Sequence, residues 1–165
     1  MTKTLILMRH AKSSWGDPAL DDHARPLNRR GEKSAKALGD WLREHRLEPD
    51  ETLSSSSVRT RQTFAGLGLS KPATFLVTLY HAEAQRMLSV LHGARGDVVL
   101  MIGHNPGIAA FAQALVADPP THERFMDYPT GATLVAQFDI PGWPSLRWGM
   151  GKVRDFVVPR ELVEM

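Results

Sequence analysis

Two hydrophobic rhythms alternate along this chain. Leu5-Ile-Leu-Met8 is a short continuous apolar run ending in charge, the pattern of a strand buried on both faces. Residues 11–28 are rich in Asp, Pro and Gly and read as a loop. Ala35, Leu38, Trp41, Leu42 and His45 then recur at helical spacing, which predicts a helix from about Arg29 to Arg46, capped by Asn28. Glu51-Thr-Leu-Ser54 reads as a short second strand. The serine run Ser54–Ser57 offers capping hydroxyls to a helix carrying Val58, Arg59, Arg61, Phe64 and Leu67, with Gly66 and Gly68 ending it. Residues 74–79 are β-rich, and Ala82–Leu91 places Met87, Leu88 and Leu91 on one helical side. Asp97–Gly103 is the clearest buried strand, and Asn105-Pro106 starts the next helix. After a Pro-rich loop over 118–131, Thr133–Asp139 alternates, Pro141-Gly142 turns and Leu146–Trp148 returns, predicting a terminal hairpin.

Strands alternating with helices predict an α/β fold: a three-layer α/β/α sandwich around a mostly parallel sheet, with an antiparallel C-terminal hairpin at its edge. At 165 residues without repeat or low-complexity linker, residues 1–165 are expected to form a single domain. The composition, 42% hydrophobic and 23% charged, suits a soluble protein with a core of its own. The absence of cysteine excludes thiol nucleophiles, thiolate-held zinc or iron–sulfur centres and disulfide staples. No apolar run approaches a membrane span, and Leu5–Met8 is too short for a signal-peptide core and leads straight into charge, so a cytoplasmic location and no membrane partner are expected. A net charge of +2 gives no support for a nucleic-acid partner.

In an open α/β sheet, ligands bind at the carboxyl ends of the strands. Three of those ends carry chemistry here: Arg9-His10 after the first strand, the serine turn and Arg59 after the second, and Gly103-His104-Asn105-Pro106 after the buried strand. Two imidazoles and two guanidiniums meeting beside helix N-termini suit a phosphoryl group. Arginine offers a planar fork to its oxygens, and a neutral imidazole can attack phosphorus. Each histidine alone is more often structural, and only the shared sheet edge raises His10 and His104 above that reading. His23, His45, His92 and His122 are expected on the surface or on helix faces, and the four tryptophans in packing. No metal-binding spacing occurs, and neither metal nor cofactor is expected.

Leu5-Ile-Leu-Met-Arg-His-Ala-Lys-Ser13, Arg25-Pro-Leu-Asn-x-Arg-Gly31, Ser54-Ser-Ser-Ser-Val-Arg-Thr-Arg-Gln-Thr63 and Gly103-His-Asn-Pro-Gly107 follow one another in order. Together they resemble the histidine phosphatase superfamily, which includes the phosphoglycerate mutases, and within it the short SixA-type phosphohistidine phosphatases. The resemblance runs nearly end to end, through Pro129-Thr-Gly131 and Val158-Pro-Arg-Glu-Leu162. It implies a phosphoglycerate mutase-like fold and a metal-independent phosphatase working through a phosphohistidine intermediate. His10 would be the nucleophile, Arg9 and Arg59 would hold the phosphoryl oxygens, and His104 would hold a further oxygen as a cation or hydrogen-bond partner. Arg25 would orient the substrate or the loop.

The sequence departs from the family at three places. Ala11 stands where Gly is common, and Ser56 where Pro is common. The leaving-group acid has no obvious holder: Glu83 is the first candidate, His81 the second and Asp22 the third. A weak acid suits a phosphoramidate, whose leaving nitrogen protonates readily. Too few residues separate Arg59 and His104 for the helical insertions that enclose a mutase pocket, so an open rim is expected. The expected substrate is phosphohistidine or another activated or small phosphorylated molecule, and the expected partner is whatever bears that phosphate, such as a phosphohistidine-containing protein. The competing reading is a non-catalytic module that binds phosphate or a phosphoprotein on the same fold.

Overall fold

The computed structural model describes residues 2–163. Its sheet is built from β1 (Thr2–Arg9), β2 (Glu51–Ser55), β3 (Ala73–Leu76), β4 (Val98–Gly103), β5 (Thr133–Asp139) and β6 (Lys152–Val157), in the order β3-β2-β4-β1-β5-β6. The first four strands run parallel; β5 pairs antiparallel with β1, and β6 antiparallel with β5. Along β1, Leu5 and Leu7 enter one apolar cluster while Ile6 and Met8 enter another, as the two-residue period of a strand requires. Met87, Leu88 and Leu91 of α3 (Ala84–His92) and Ile108, Phe111 and Leu115 of α4 (Gly107–Leu115) close the first cluster. Leu38, Trp41 and Leu42 of α1 (Arg29–Glu44) and Leu67 of α2 (Val58–Leu67) close the second. The expected three layers follow from this, and β1 is apolar throughout its centre because both of its faces are covered.

The helix boundaries follow their capping chemistry. Asn28 Oδ1 accepts from Gly31 N at 2.9 Å, and the Ser57 side chain accepts from Thr60 N at the start of α2. Gly68 ends α2 in the left-handed conformation, whereas Gly66 lies inside the helix. A Cβ on Gly66 would come within 2.7 Å of the Cβ of Ala35, so it admits close packing of α2 on α1 and does not end the helix. The expected return strand at Leu146–Trp148 is corrected: the chain returns as β6. Residues 141–151 form a connection instead, with Trp143 and Leu146 buried in the first cluster and the Trp143 indole donating to Gly96 O at 2.7 Å. Their apolar character serves packing from a loop, which periodicity reads as a strand.

One glycine couples α1 to the segment that follows β1. A Cβ on Gly31 would lie 2.1 Å from the carbonyl oxygen of Lys12, which also accepts from Asn28 N at 3.0 Å. Gly31→Ala therefore forces backbone apart, at a cost of about 1–3 kcal/mol. Because Lys12 is two residues from His10, turnover should fall along with the melting temperature. Unchanged values for both would show that this contact can relax.

Candidate active site

Strand order explains why residues far apart in the chain meet. β1 and β4 are parallel neighbours in which Arg9 is opposite Gly103, so the next residues, His10 and His104, leave the sheet side by side. His10 N donates to Gly103 O at 3.1 Å, and the two imidazole centroids are 5.2 Å apart. β2 lies on the other side of β4, and its serine turn leads into α2, whose first turn carries Arg59. Arg59 is 2% exposed and its Nη2 lies 3.3 Å from His104 Nδ1. Arg9 reaches from the end of β1 and donates through Nη1 to Tyr128 O at 3.2 Å. The Nε atoms of Arg9 and Arg59 are buried with no hydrogen-bond partner among the described residues. A buried donor without an acceptor costs stability, and such donors suit an anionic ligand.

Hydrogen bonding fixes the tautomers of both rings. His10 Nδ1 donates to Ala11 O at 2.8 Å, which leaves the lone pair on Nε2. A guanidinium can only donate, so His104 Nδ1 accepts from Arg59 and His104 Nε2 carries the hydrogen toward Ser55 Oγ at 2.8 Å. Ala11 N donates to Thr63 Oγ1, itself bonded to Arg59 O, which seats the segment after His10 on α2. Ala11 has no positive φ, so the backbone there does not require glycine. Ser56 meets His23 Nε2 through its hydroxyl at 2.9 Å.

Burial, reinforced by Arg9, Arg59 and Arg25, pushes the His10 imidazole down to about 3, although its bond to Ala11 pulls the other way. Burial, then the charges of His10, Arg59 and His81, pushes His104 down to about 2. Both rings are neutral at pH 7, which disfavours a cationic role for His104 in this state. Unfolded, both would titrate near 6.5. Between those values the unfolded chain binds protons that the native chain does not, so stability is full above pH 6.5 and falls as pH drops toward 3. The slope is on the order of 1 kcal/mol per pH unit for each ring. The melting temperature should therefore decline already between pH 6.5 and ~5, above the range where carboxylates titrate. His104→Gln should flatten that decline; an equal slope in the variant would refute the assignment.

Asp22 is the hub of the rim. Its Oδ2 accepts from Arg59 Nη2 at 2.9 Å, from His81 Nε2 at 2.8 Å and from the Tyr80 hydroxyl. Its Oδ1 accepts from Arg25 Nε and Nη2, and its carbonyl from Arg59 Nη1 at 2.6 Å. Burial would raise the Asp22 pKa, but hydrogen bonds from Tyr80, His81, Arg59 and Arg25 outweigh it and hold the carboxyl well below its usual range. Asp22 is thus a fixed anion already held in the fork of Arg59. Arg25 also donates to Ser13 Oγ at 2.8 Å and stacks on Trp15, so it organises the loop. Glu83 is exposed at the N-cap of α3, and among the described residues no hydrogen bond joins it to this cluster.

Sequence reading missed three neighbours. Tyr80 lies edge-on to His104 at 5.5 Å and bonds Asp22. Ser55 orients His104, although the serine run had read only as a capped turn. His23, expected on the surface or a helix face, lies half-buried in the short 3-10 helix Asp22–Ala24 and packs against Tyr80 at 4.8 Å. Two residues at the site have backbone rare for a residue other than glycine and frequent at functional sites: His81 at φ +52° and Tyr128, whose carbonyl holds Arg9, at φ +49°. Among the described residues no group of three or more His, Cys, Asp or Glu could hold a metal ion. No described helix is long and apolar enough to cross a membrane. The arrangement can hold a tetrahedral oxyanion against two guanidiniums and present a neutral imidazole nitrogen to its centre.

A model of the histidine phosphatase superfamily (branch 1) matches residues 5–79, a span that contains Arg9, His10, Arg25 and Arg59. An uncharacterized protein of Mycobacterium tuberculosis is 34% identical over 161 residues, covering 93% of this chain and 100% of that one. The structure of a candidate phosphohistidine phosphatase SixA from Nakamurella multipartitia has a TM-score of 0.86 at 29% identity, covering 96% of this chain and 97% of that one. A second candidate SixA, from Agrobacterium tumefaciens, has a TM-score of 0.78 at 27% identity, covering 95% and 98%.

Proposed function

Since this chain belongs to the histidine phosphatase superfamily, in its SixA-type branch, we propose that it hydrolyses phosphohistidine, carried by another protein, through a covalent intermediate on His10. Phosphatase chemistry is what the family supports; the substrate and the residue roles are our reading. In the first step His10 Nε2 bonds to phosphorus as the bond from phosphorus to the substrate imidazole breaks, and that imidazole leaves with a proton taken from His81 or solvent. In the second step a water oxygen bonds to phosphorus, the bond to Nε2 breaks with its electron pair returning to the ring, the water proton passes to His81 or solvent in return, and orthophosphate departs. Arg9 and Arg59 stabilise the charge on the transferring group in both steps, and His104 donates to one of its oxygens. For His104 to donate through Nδ1, its proton must move there and Ser55 must turn its hydroxyl toward Nε2.

The observation that carries this reading is the neutral His10, with its hydrogen on Nδ1, buried beside two guanidiniums. The leaving group supports the choice of substrate. Asp22 holds no proton to give, and Glu83 is not bonded to the cluster, so the geometry favours His81, the remaining candidate, where a leaving atom needs an acid. An imidazole leaving group protonates readily and asks least of such a site. The stretch from Arg59 to His104 holds the rest of α2, β3, a 3-10 turn, α3 and β4, with no helical insertion among them, which supports an open rim. Turnover of phosphohistidine, p-nitrophenyl phosphate and 3-phosphoglycerate, compared side by side, tests the reading. Phosphohistidine should give the highest kcat/KM; preference for 3-phosphoglycerate, or mutase activity, would overturn it.

A further inference from the structure

A cleft adjoins the site through Arg9. It encloses about 460 Å³, and Arg9, Lys12, Arg30, Arg124, Asp127 and Arg160 line it. Five of those six side chains are cations and one is a carboxylate. Asp127 is held by Arg124 at 3.0 Å, so that pair is internally compensated. Glu161, the carboxylate nearest to Arg160 in sequence, is turned to His122 and to Val158 N. Lys12 and Arg160 form no ion pair among the described residues. Arg30 stands in the first turn of α1, at the end of a helix whose dipole also attracts anions.

A solvated basic face would spread its charges apart. Here they converge on a concavity, where like charges repel and the field toward an incoming anion is focused. One of them, Arg9, belongs to the phosphoryl site as well and has a buried Nε without an acceptor. A molecule whose phosphoryl group sits at His10 would therefore place its neighbouring atoms at the mouth of this cleft.

We infer that the cleft is a docking subsite for carboxylates of the polypeptide that carries the phosphoryl group. The enzyme selects phosphohistidine segments with Asp or Glu nearby. This deepens the phosphohistidine reading and rests on it for the identity of the substrate, but not for the existence of the subsite. A second phosphate on a small substrate would meet the same cations, and the test separates the two.

The probes are two labelled peptides of equal length, one rich in Asp and Glu and the other with Asn and Gln in their place. Each is made with and without phosphohistidine. Fluorescence anisotropy measures binding to the wild type, Lys12→Glu, Arg160→Glu and Arg160→Gln, and kcat/KM is read on the phosphorylated forms. The wild type should bind the acidic peptide on the order of tenfold tighter than the neutral one, with the preference shrinking in high salt. Either charge reversal should remove most of that preference, and Arg160→Gln should give an intermediate value. Equal binding of the two peptides, or a preference that survives both reversals, would overturn the subsite. So would failure of the acidic unphosphorylated peptide to bind while inorganic pyrophosphate binds in a manner sensitive to Arg160→Glu, because the cleft would then serve a small phosphate-bearing molecule. If neither phosphopeptide is hydrolysed but the acidic preference and its loss on charge reversal remain, the subsite stands and the phosphohistidine reading falls.

Discussion

His10→Ala should reduce turnover to background, a loss on the order of a millionfold, as removal of the nucleophile does in other covalent enzymes. The size of the effect follows from the position of the lone pair. His10 Nδ1 is committed to Ala11 O, the ring stays neutral to about pH 3, and Nε2 is left to bond with phosphorus. His104 cannot take over, because its Nδ1 faces Arg59 and its Nε2 faces Ser55. The wild type incubated with a labelled phospho-donor should retain an acid-labile, base-stable label, and the variant none. The competing reading, a binding module without chemistry, expects no label on either protein. Wild-type turnover in His10→Ala would end the covalent mechanism.

The same two histidines show how far the sequence could be read. Local signals fixed the ends of β1 and β4: continuous apolar runs stop at Arg9 and Gly103, and strand ends are where ligands gather. That the rings lie 5.2 Å apart depends on β1 and β4 being neighbours, with β2 next in line, and strand order is a long-range property that no local pattern carries. The sequence motifs supplied that missing link through family resemblance. Asp22 and His81 were legible as acid candidates, but their meeting with Tyr80 was not. Each lies on a loop or turn, and their convergence is set by how residues 11–28 and the segment after β3 fold over the sheet edge. Trp15 failed for a related reason: it was expected in packing, yet it is 76% exposed and stacked on Arg25, since cation–π contact needs no burial.

The hub at Asp22 also changes what the site must do on binding. Arg59 already holds a carboxylate and a carbonyl through its two terminal nitrogens. A phosphoryl group with more charge and more acceptor oxygens can outcompete that carboxylate for the fork. Asp22 keeps Tyr80, His81 and Arg25 when it yields, so the rim need not collapse as substrate enters. In the proposed mechanism the anion held at rest would keep this buried guanidinium hydrogen-bonded and oriented until substrate arrives.

Arg59 is accordingly the second residue whose loss should be severe. Arg59→Ala should lower kcat/KM on the order of a thousandfold or more, the effect expected of an arginine that stabilises a transferring phosphoryl group. Because the side chain is only 2% exposed, alanine also leaves a cavity, so Arg59→Met, which fills much of the volume without the charge, separates chemistry from packing. Arg59→Lys should recover little: a point charge cannot reproduce the planar fork that reaches Asp22 and His104 together. Removing this charge has a second consequence. Arg59 helps to depress both His10 and His104, so without it both pKa values rise and the acid limb of the rate profile moves to higher pH. A purely structural arginine would slow the enzyme without moving that limb. If Arg59→Met kept kcat/KM within about tenfold of wild type, with its acid limb in place, the phosphoryl group would have to be held elsewhere.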